Sequence, residues 1–392
     1  MPPCERSIPC SIGRVASIVL LAFLASACAP DAAEDATADA PAALPSPPED
    51  SFVEVNGVRL HYLDHGGEGD VLLFVPGSSM TAQSFNAVAP HFTDRYRVLA
   101  VTRRWHGASE KTDLTFDLDT LAADLTAFLD HFTDRPAIVA GWSYAGLELT
   151  RLARARPDLV RALVFLDANY DPSAFAGMTP PPAPQIDSVF PSLAAAVDVF
   201  RKLLPRVDSA LVEQYLQSAL YRTEGGVYAW QLPPSSAASE HLGGLMSDWS
   251  PEDYVGIDVP VLAFRVEQAD AVGRDMLSNG TPPDAVEAVQ RWIRDYDDVS
   301  KSRALAALVA AIPDARVVVL DEVSHSFVMD DPDVVVELMN GFLDDLERGR
   351  RMTPPTRPKT SASPEFKSIV KSAQLGSIRV RAEIDRRLAE IE

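Results

Sequence analysis

The amino-acid sequence predicts a mostly parallel, doubly wound α/β sheet with a helical cap inserted late in the chain. Three observations carry this. Short continuous apolar runs such as Val71–Val75 (VLLFV) alternate with segments of helical spacing, the pattern of strands covered on both faces by crossover helices. An Asn56-Gly57 pair separates two strand-like runs at the start of the ordered part, which signals an antiparallel hairpin. The segment Pro172–Pro260 is far longer than a crossover needs and contains helical stretches of its own, so it reads as an inserted unit rather than a loop.

The elements follow in order. Phe52–Val55 and Val58–Leu63 form the hairpin, and Val71–Val75 and Val98–Val101 are buried strands. Leu118, Leu121, Leu125, Phe128, Leu129 and Phe132 lie on one face of a helix. Ala137–Ala140 is a strand, and the helix after it, with Leu147, Leu149 and Leu152, stops before Pro157. Ala162–Leu166 is the sixth strand. The cap then occupies about 172–259, with helices at Leu193–Leu204 and Leu211–Leu220. Strands Val261–Phe264 and Val317–Leu320 and a final helix complete the domain at about residue 346. That helix opens at Asp331-Pro332, a capping residue followed by proline in the first turn.

Outside this region the sequence changes character. Arg6 and Arg14 precede the 13-residue apolar run Val15–Ala27, too short for a comfortable membrane span but right for an export signal. The run ends in LASAC, which resembles the lipobox of bacterial lipoproteins, so residues 1–27 are expected to be removed and Cys28 lipidated. Residues 28–50 carry six acids, no base and much Ala and Pro, a composition that cannot order itself and reads as a tether. Residues 347–392 begin with a basic, Pro-rich linker and end in a candidate helix. The expected location is the cell envelope, anchored through lipid and facing the periplasm. Cys4 and Cys10 leave with the signal, so no disulfide forms in the mature chain. A net charge of −21 argues against nucleic acid as a partner.

The chemistry centres on Gly141-Trp142-Ser143-Tyr144-Ala145. A serine between a strand and a helix, with small residues two before and two after, is the pattern of a nucleophile elbow: the chain doubles back and projects the hydroxyl above the sheet. The amide of Tyr144, at a helix N-terminus, is placed to stabilise an oxyanion. A serine hydroxyl is a weak nucleophile near neutral pH and requires a base held by a third group. Of the two histidines after Ser143, His241 falls in the cap and His325 follows the last strand in DEVSHSFVMDDP. No metal-ligand cluster or phosphate-binding glycine motif is apparent, so no cofactor is expected.

The strand–helix order over 51–346, the Gly-x-Ser-x-Ala elbow and the placement of His325 together resemble the α/β-hydrolase family. Pro76-Gly77-Ser78-Ser79-Met80 is similar to the family's oxyanion loop, with Pro76 for histidine, and implies the Ser78 amide as the second donor, with Ser79 a weaker one. Thr102-Arg103-Arg104-Trp105-His106-Gly107-Ala108-Ser109 resembles the family's Asp-x-Arg-Gly-x-Gly-x-Ser turn, departing at Thr102 and Trp105. The resemblance implies a Ser-acid-His chain order, with His325 as base. The acid is left open. Asp270 and Glu267 follow Val261–Phe264, where the family often carries it, and Asp167 stands at the tip of Ala162–Leu166, the site some relatives use. Asp270 is slightly favoured. The expected activity is cleavage of a small-molecule ester or related acyl compound through an acyl-enzyme. An acyltransferase with the same residues, or a lipoprotein binding module that keeps only the fold, are the alternatives.

Overall fold

The computed structural model describes residues 48–349, apart from 112–116, 172, 174–188, 205, 231–248, 279–280, 313 and 322. Cys28, the tether, the C-terminal tail and His241 lie outside the described residues. Asn56 and Gly57 turn the chain with φ of 50° and 70°, joining β1 (Glu49–Val55) to β2 (Val58–Gly66) in the antiparallel register that pairs Val55 with Val58. The strand β1 therefore begins inside the segment read as tether. Then come β3 (Val71–Val75), β4 (Arg97–Val101), α1 (Leu118–Phe132), β5 (Ala137–Trp142), α2 (Ala145–Ala155) and β6 (Val160–Leu166).

The sheet has eight strands in the order β1-β2-β4-β3-β5-β6-β10-β11, with β10 (Val261–Glu267) and β11 (Arg316–Asp321) last. The strands β2 and β4 pair antiparallel, and every pair from β4 to β11 is parallel. Alternate residues of each apolar run face opposite cores. Leu72, Phe74, Val98, Ala100, Ile138 and Ala140 join one, while Leu73, Val75, Leu99, Val101 and Val139 join the other. That is why these strands read as unbroken apolar runs.

The cap contributes α3 (Leu193–Leu203) and α4 (Ser209–Ala219), capped by the side chains of Ser192 and Asp208. It also contributes a small antiparallel sheet, β7 (Val189–Phe190), β9 (Tyr228–Trp230) and β8 (Leu220–Arg222), which helical spacing alone does not anticipate. Phe190, Phe200, Tyr215 and Trp230 stack on one another with ring centroids 5.5–6.5 Å apart, and this aromatic group is continuous with the core on one face of the sheet. The helix α4 rests on the segment after β3: Ser218 Oγ lies 2.6 Å from Thr81 Oγ1, and the Tyr215 hydroxyl donates to Ser79 O at 3.2 Å.

Between β10 and β11, a stretch for which the sequence predicts no element, the chain makes three helices: α5 (Ala269–Ser278), α6 (Pro283–Trp292) and α7 (Asp298–Ala311). A π-helical turn, Ile293–Asp297, joins α6 to α7, and such turns are frequent at functional sites. Two further helices, α8 (Phe327–Asp330) and α9 (Pro332–Glu347), end the described chain, α9 packing Leu338, Met339 and Phe342 on the sheet.

Candidate active site

Ser143 sits between β5 and α2 with φ of 55°, in the left-handed region that a non-glycine residue occupies only under constraint. The constraint is visible. Its amide donates to Leu166 O at 3.1 Å, tying the turn to the end of β6. The tight elbow leaves little room around it. A Cβ at Gly141 would lie 2.8 Å from Leu149 Cδ1 and 3.1 Å from Ala145 Cβ, and one at Gly77 would lie 3.1 Å from Ser143 Cβ. A Cβ at Gly146 would come within 1.9 Å of Ala168 O, so this glycine, which the Gly-x-Ser-x-Ala pattern does not include, holds α2 against the loop after β6. Gly146→Ala is expected to cost roughly 1–3 kcal/mol, read as a lowered thermal midpoint.

His325 follows β11 and is 1% exposed. The indole of Trp142, the residue before Ser143, donates to His325 O at 3.0 Å and fixes the histidine's backbone to the elbow. The hydroxyl of half-buried Tyr170 lies 3.4 Å from His325 Nδ1. Desolvation, and then the nearby Asp167 and Asp297 carboxylates, push that phenol well above its usual range, so it stays protonated.

The carboxylate at His325 is Asp167. Its Oδ2 lies 2.6 Å from His325 Nδ1, and its Oδ1 accepts from the Val266 amide at 2.9 Å. Asp167 has φ of 48°, a conformation that Asp tolerates better than most residues, and this turns its side chain back toward β10 and β11. Burial alone would raise its proton affinity. The Lys301 ammonium, the His325 ring and the Val266 amide outweigh that and hold the carboxyl well below the usual range. An ionised carboxylate only accepts hydrogen bonds, so Nδ1 carries the ring proton and Nε2 presents the basic lone pair.

Asp270 does not reach this site. It lies in the first turn of α5 with its side chain 79% exposed, 3.5 Å from Arg294 Nη1. Residues after β10 enter a helix at Ala269 rather than a loop, which carries Asp270 outward. Glu267 ends β10 and faces Arg265 at 3.6 Å. Of the three acids weighed from the sequence, the structure brings only Asp167 to His325.

The second half of the site is the loop after β3. Arg103 donates to Pro76 O at 2.8 Å and to Gly77 O at 3.1 Å, and its Nε donates to Glu148 Oε1 at 2.7 Å. Across a trans peptide the N–H points opposite to the C=O, so holding the Gly77 carbonyl on Arg103 aims the Ser78 amide away from it. The Ser79 amide donates instead to His106 Nε2 at 3.3 Å, while His106 Nδ1 lies 3.0 Å from Arg104 O. Burial, and then the neighbouring Arg103, push the His106 pKa down to about 3. The ring is therefore neutral, with Nδ1 the donor and Nε2 the acceptor. The motif Thr102–Ser109 thus does more than turn the chain: Arg103 and His106 set the conformation of the Ser78–Ser79 loop, where Ser79 has φ of 63°. Ser78 is buried beside the elbow, and Tyr144 caps α2.

Residues 72–338 match the model of the Alpha/beta hydrolase family. The chain belongs to this family. Among its relatives, 2-(acetamidomethylene)succinate hydrolase of Mesorhizobium japonicum is 22% identical over 293 residues, covering 74% of this chain and 94% of the relative. Non-heme chloroperoxidase of Streptomyces lividans is 28% identical over 242 residues, covering 58% and 87%. The crystal structure of E-2-(acetamidomethylene)succinate hydrolase shares the fold with a TM-score of 0.58 at 21% identity, covering 76% of this chain and 99% of that one. A thioesterase domain from the curacin biosynthetic pathway does so with 0.57 at 18%, covering 75% and 99%. Among the described residues no three His, Cys, Asp or Glu side chains converge to hold a metal ion.

Proposed function

We propose that the chain is a serine hydrolase that cleaves an acyl compound through an acyl-enzyme, with Ser143 as nucleophile, His325 as base and Asp167 as the acid. The observation that carries this reading is a strained serine at the elbow with a histidine whose Nδ1 is committed to a buried, ionised carboxylate. In the reaction, His325 Nε2 takes the Ser143 proton as Oγ attacks the carbonyl carbon, and the carbonyl π electrons move to oxygen. The amides of Ser78 and Tyr144 hold that oxyanion. As it collapses, the leaving group takes the proton from the imidazolium, and water repeats the cycle on the acyl-enzyme. Asp167 stays ionised throughout, orienting the ring and stabilising its charged form.

The test is covalent capture by a fluorophosphonate together with hydrolysis of a short-chain aryl ester series. Capture at Ser143 with turnover supports the hydrolase. Capture without turnover in water, but with acyl transfer to an added alcohol or amine, points to an acyltransferase, and a wild-type protein inert to both probes to a binding module.

We also propose that the mature chain starts at a lipidated Cys28 and is tethered in the cell envelope, on the strength of the LASAC stretch. Cys28→Ser is expected to leave the precursor unprocessed or to move the protein from the membrane fraction to the soluble one. A soluble wild-type protein with a different N-terminus would overturn this.

A further inference from the structure

Behind His325 the structure holds a buried lysine that the proposed chemistry does not use. Lys301, on α7, is 2% exposed. Its Nζ lies 2.9 Å from Asp167 Oδ2, 2.8 Å from Asp297 Oδ2 and 3.5 Å from Val266 O, so each of its three N–H groups has an acceptor. Asp297, the last residue of the π-turn, also accepts from Gln268 Nε2 at 3.0 Å, and Gln268 Oε1 accepts from the His325 amide at 3.3 Å. The contacts close a ring: His325 ring, Asp167, Lys301, Asp297, Gln268, His325 backbone. The base is thereby gripped at its imidazole and at its main chain by a single network.

Resting on the reading of Asp167 and His325 as acid and base, we propose that Lys301 is a positioning residue whose charge, balanced by Asp297, sets the pH at which His325 becomes available as a base. A lysine is a costly device for merely holding a carboxylate, since the buried ammonium must itself be compensated. What it adds is charge. Loss of hydration alone would favour the neutral amine, but Asp167 and Asp297 outweigh this and hold Lys301 firmly protonated. A cation on the far side of Asp167 opposes protonation of the imidazole, and a second carboxylate behind that cation weakens its effect. Other titratable groups beside the network are Tyr170, whose ring lies 5.5 Å from Lys301 Nζ, the set of Asp298, Arg265 and Glu267, in which Arg265 lies 3.7 Å from Asp298 and 3.6 Å from Glu267, and Asp330 on α8, which accepts from Ser324 Oγ at 2.6 Å next to His325. Burial pushes Asp298 up to about 6 and Asp330 up to about 7, so their titrations are separated from the Lys301 effect by Asp298→Asn and Asp330→Asn controls.

The signs follow. Without the Lys301 charge the imidazole keeps its proton to higher pH, so the acid limb of the rate moves up. Without Asp297 the Lys301 charge acts more fully, so the limb moves down. The experiment measures the rate of fluorophosphonate labelling against pH for the full chain and for Lys301→Met, Lys301→Gln and Asp297→Asn, each with circular dichroism and a thermal midpoint. A shift of about one pH unit upward is expected for both Lys301 variants, and a downward shift for Asp297→Asn, since an opposite or like charge at this range moves a titration by about 1–3 units. Where a single variant does not fold, Lys301→Met/Asp297→Asn, which removes both charges together, is expected to show the upward shift, because the lost cation touched Asp167 directly. Slower labelling with an unmoved limb in the folded variants would overturn the proposal and leave Lys301 a structural prop. Absence of Ser143-dependent labelling in the wild-type protein is a different result, which overturns the hydrolase reading itself.

Discussion

Ser143→Ala is expected to reduce aryl ester hydrolysis to background, a loss on the order of 10⁶-fold in turnover, and to abolish fluorophosphonate capture. His325→Ala is expected to lose nearly as much, and the double variant no more than either, because nucleophile and base act as one unit. Stability should separate from activity. Ser143 has φ of 55°, and alanine keeps the Cβ that makes this conformation unfavourable, so the thermal midpoint of Ser143→Ala should stay near wild type. Glycine removes that Cβ. Backbone strain of about 1–3 kcal/mol would be relieved, partly offset by the greater freedom of glycine in the unfolded chain, and Ser143→Gly should melt at or above wild type while equally inactive. Ester hydrolysis undiminished in purified Ser143→Ala would remove this serine from the mechanism.

The candidate nucleophile was legible because everything that marks it is local: a strand, a turn that tolerates only small neighbours, and a helix, within about a dozen residues. His325 was legible for a similar reason, standing between the last strand and the last helix. The carboxylate that meets His325 was not, because the choice among the candidates depends on what lies after β10. A spacing argument assumes a loop there, and α5 begins at Ala269. The clue that favours Asp167 is its seat directly at the end of β6, where a carboxylate can turn into the left-handed region and reach the neighbouring strand ends. Lys301 and Asp297 were hidden more deeply. Four residues apart on a helix, they look like a solvated ion pair, and only the packing of α7 against Asp167 shows that they are buried. His106 stands in the sequence only as one residue of the Thr102–Ser109 turn. Its part in holding the Ser79 amide comes from a contact between the β3 and β4 loops that no local pattern encodes.

The sharpest expectation about the acid is a contrast. Asp167→Asn should lower turnover roughly 10⁴-fold, because an amide either presents its NH₂ to His325 Nδ1 and favours the wrong tautomer, or accepts as a neutral group that no longer stabilises the imidazolium. It should also destabilise the fold. Lys301 would keep Asp297 at 2.8 Å but lose the ionised partner at 2.9 Å, and removing one member of a buried ion pair typically costs about 3–5 kcal/mol. The measurement is therefore made well below the melting temperature, with the folded fraction checked by circular dichroism. Asp270→Asn should leave turnover and the thermal midpoint unchanged: its exposed side chain loses only a 3.5 Å contact with Arg294, itself half exposed, and such surface pairs contribute at most about 1 kcal/mol. Acid sensitivity follows with the same sign. The Asp167 carboxyl is held below its unfolded range, so it stabilises the fold above the ordinary carboxylate range and loses that contribution as pH falls through and below it. Asp167→Asn should accordingly flatten the acid side of the stability curve relative to wild type, while Asp270→Asn should retrace it. If instead Asp270→Asn silences the enzyme and Asp167→Asn turns over normally, the carboxylate seen at His325 is not the one that works in catalysis.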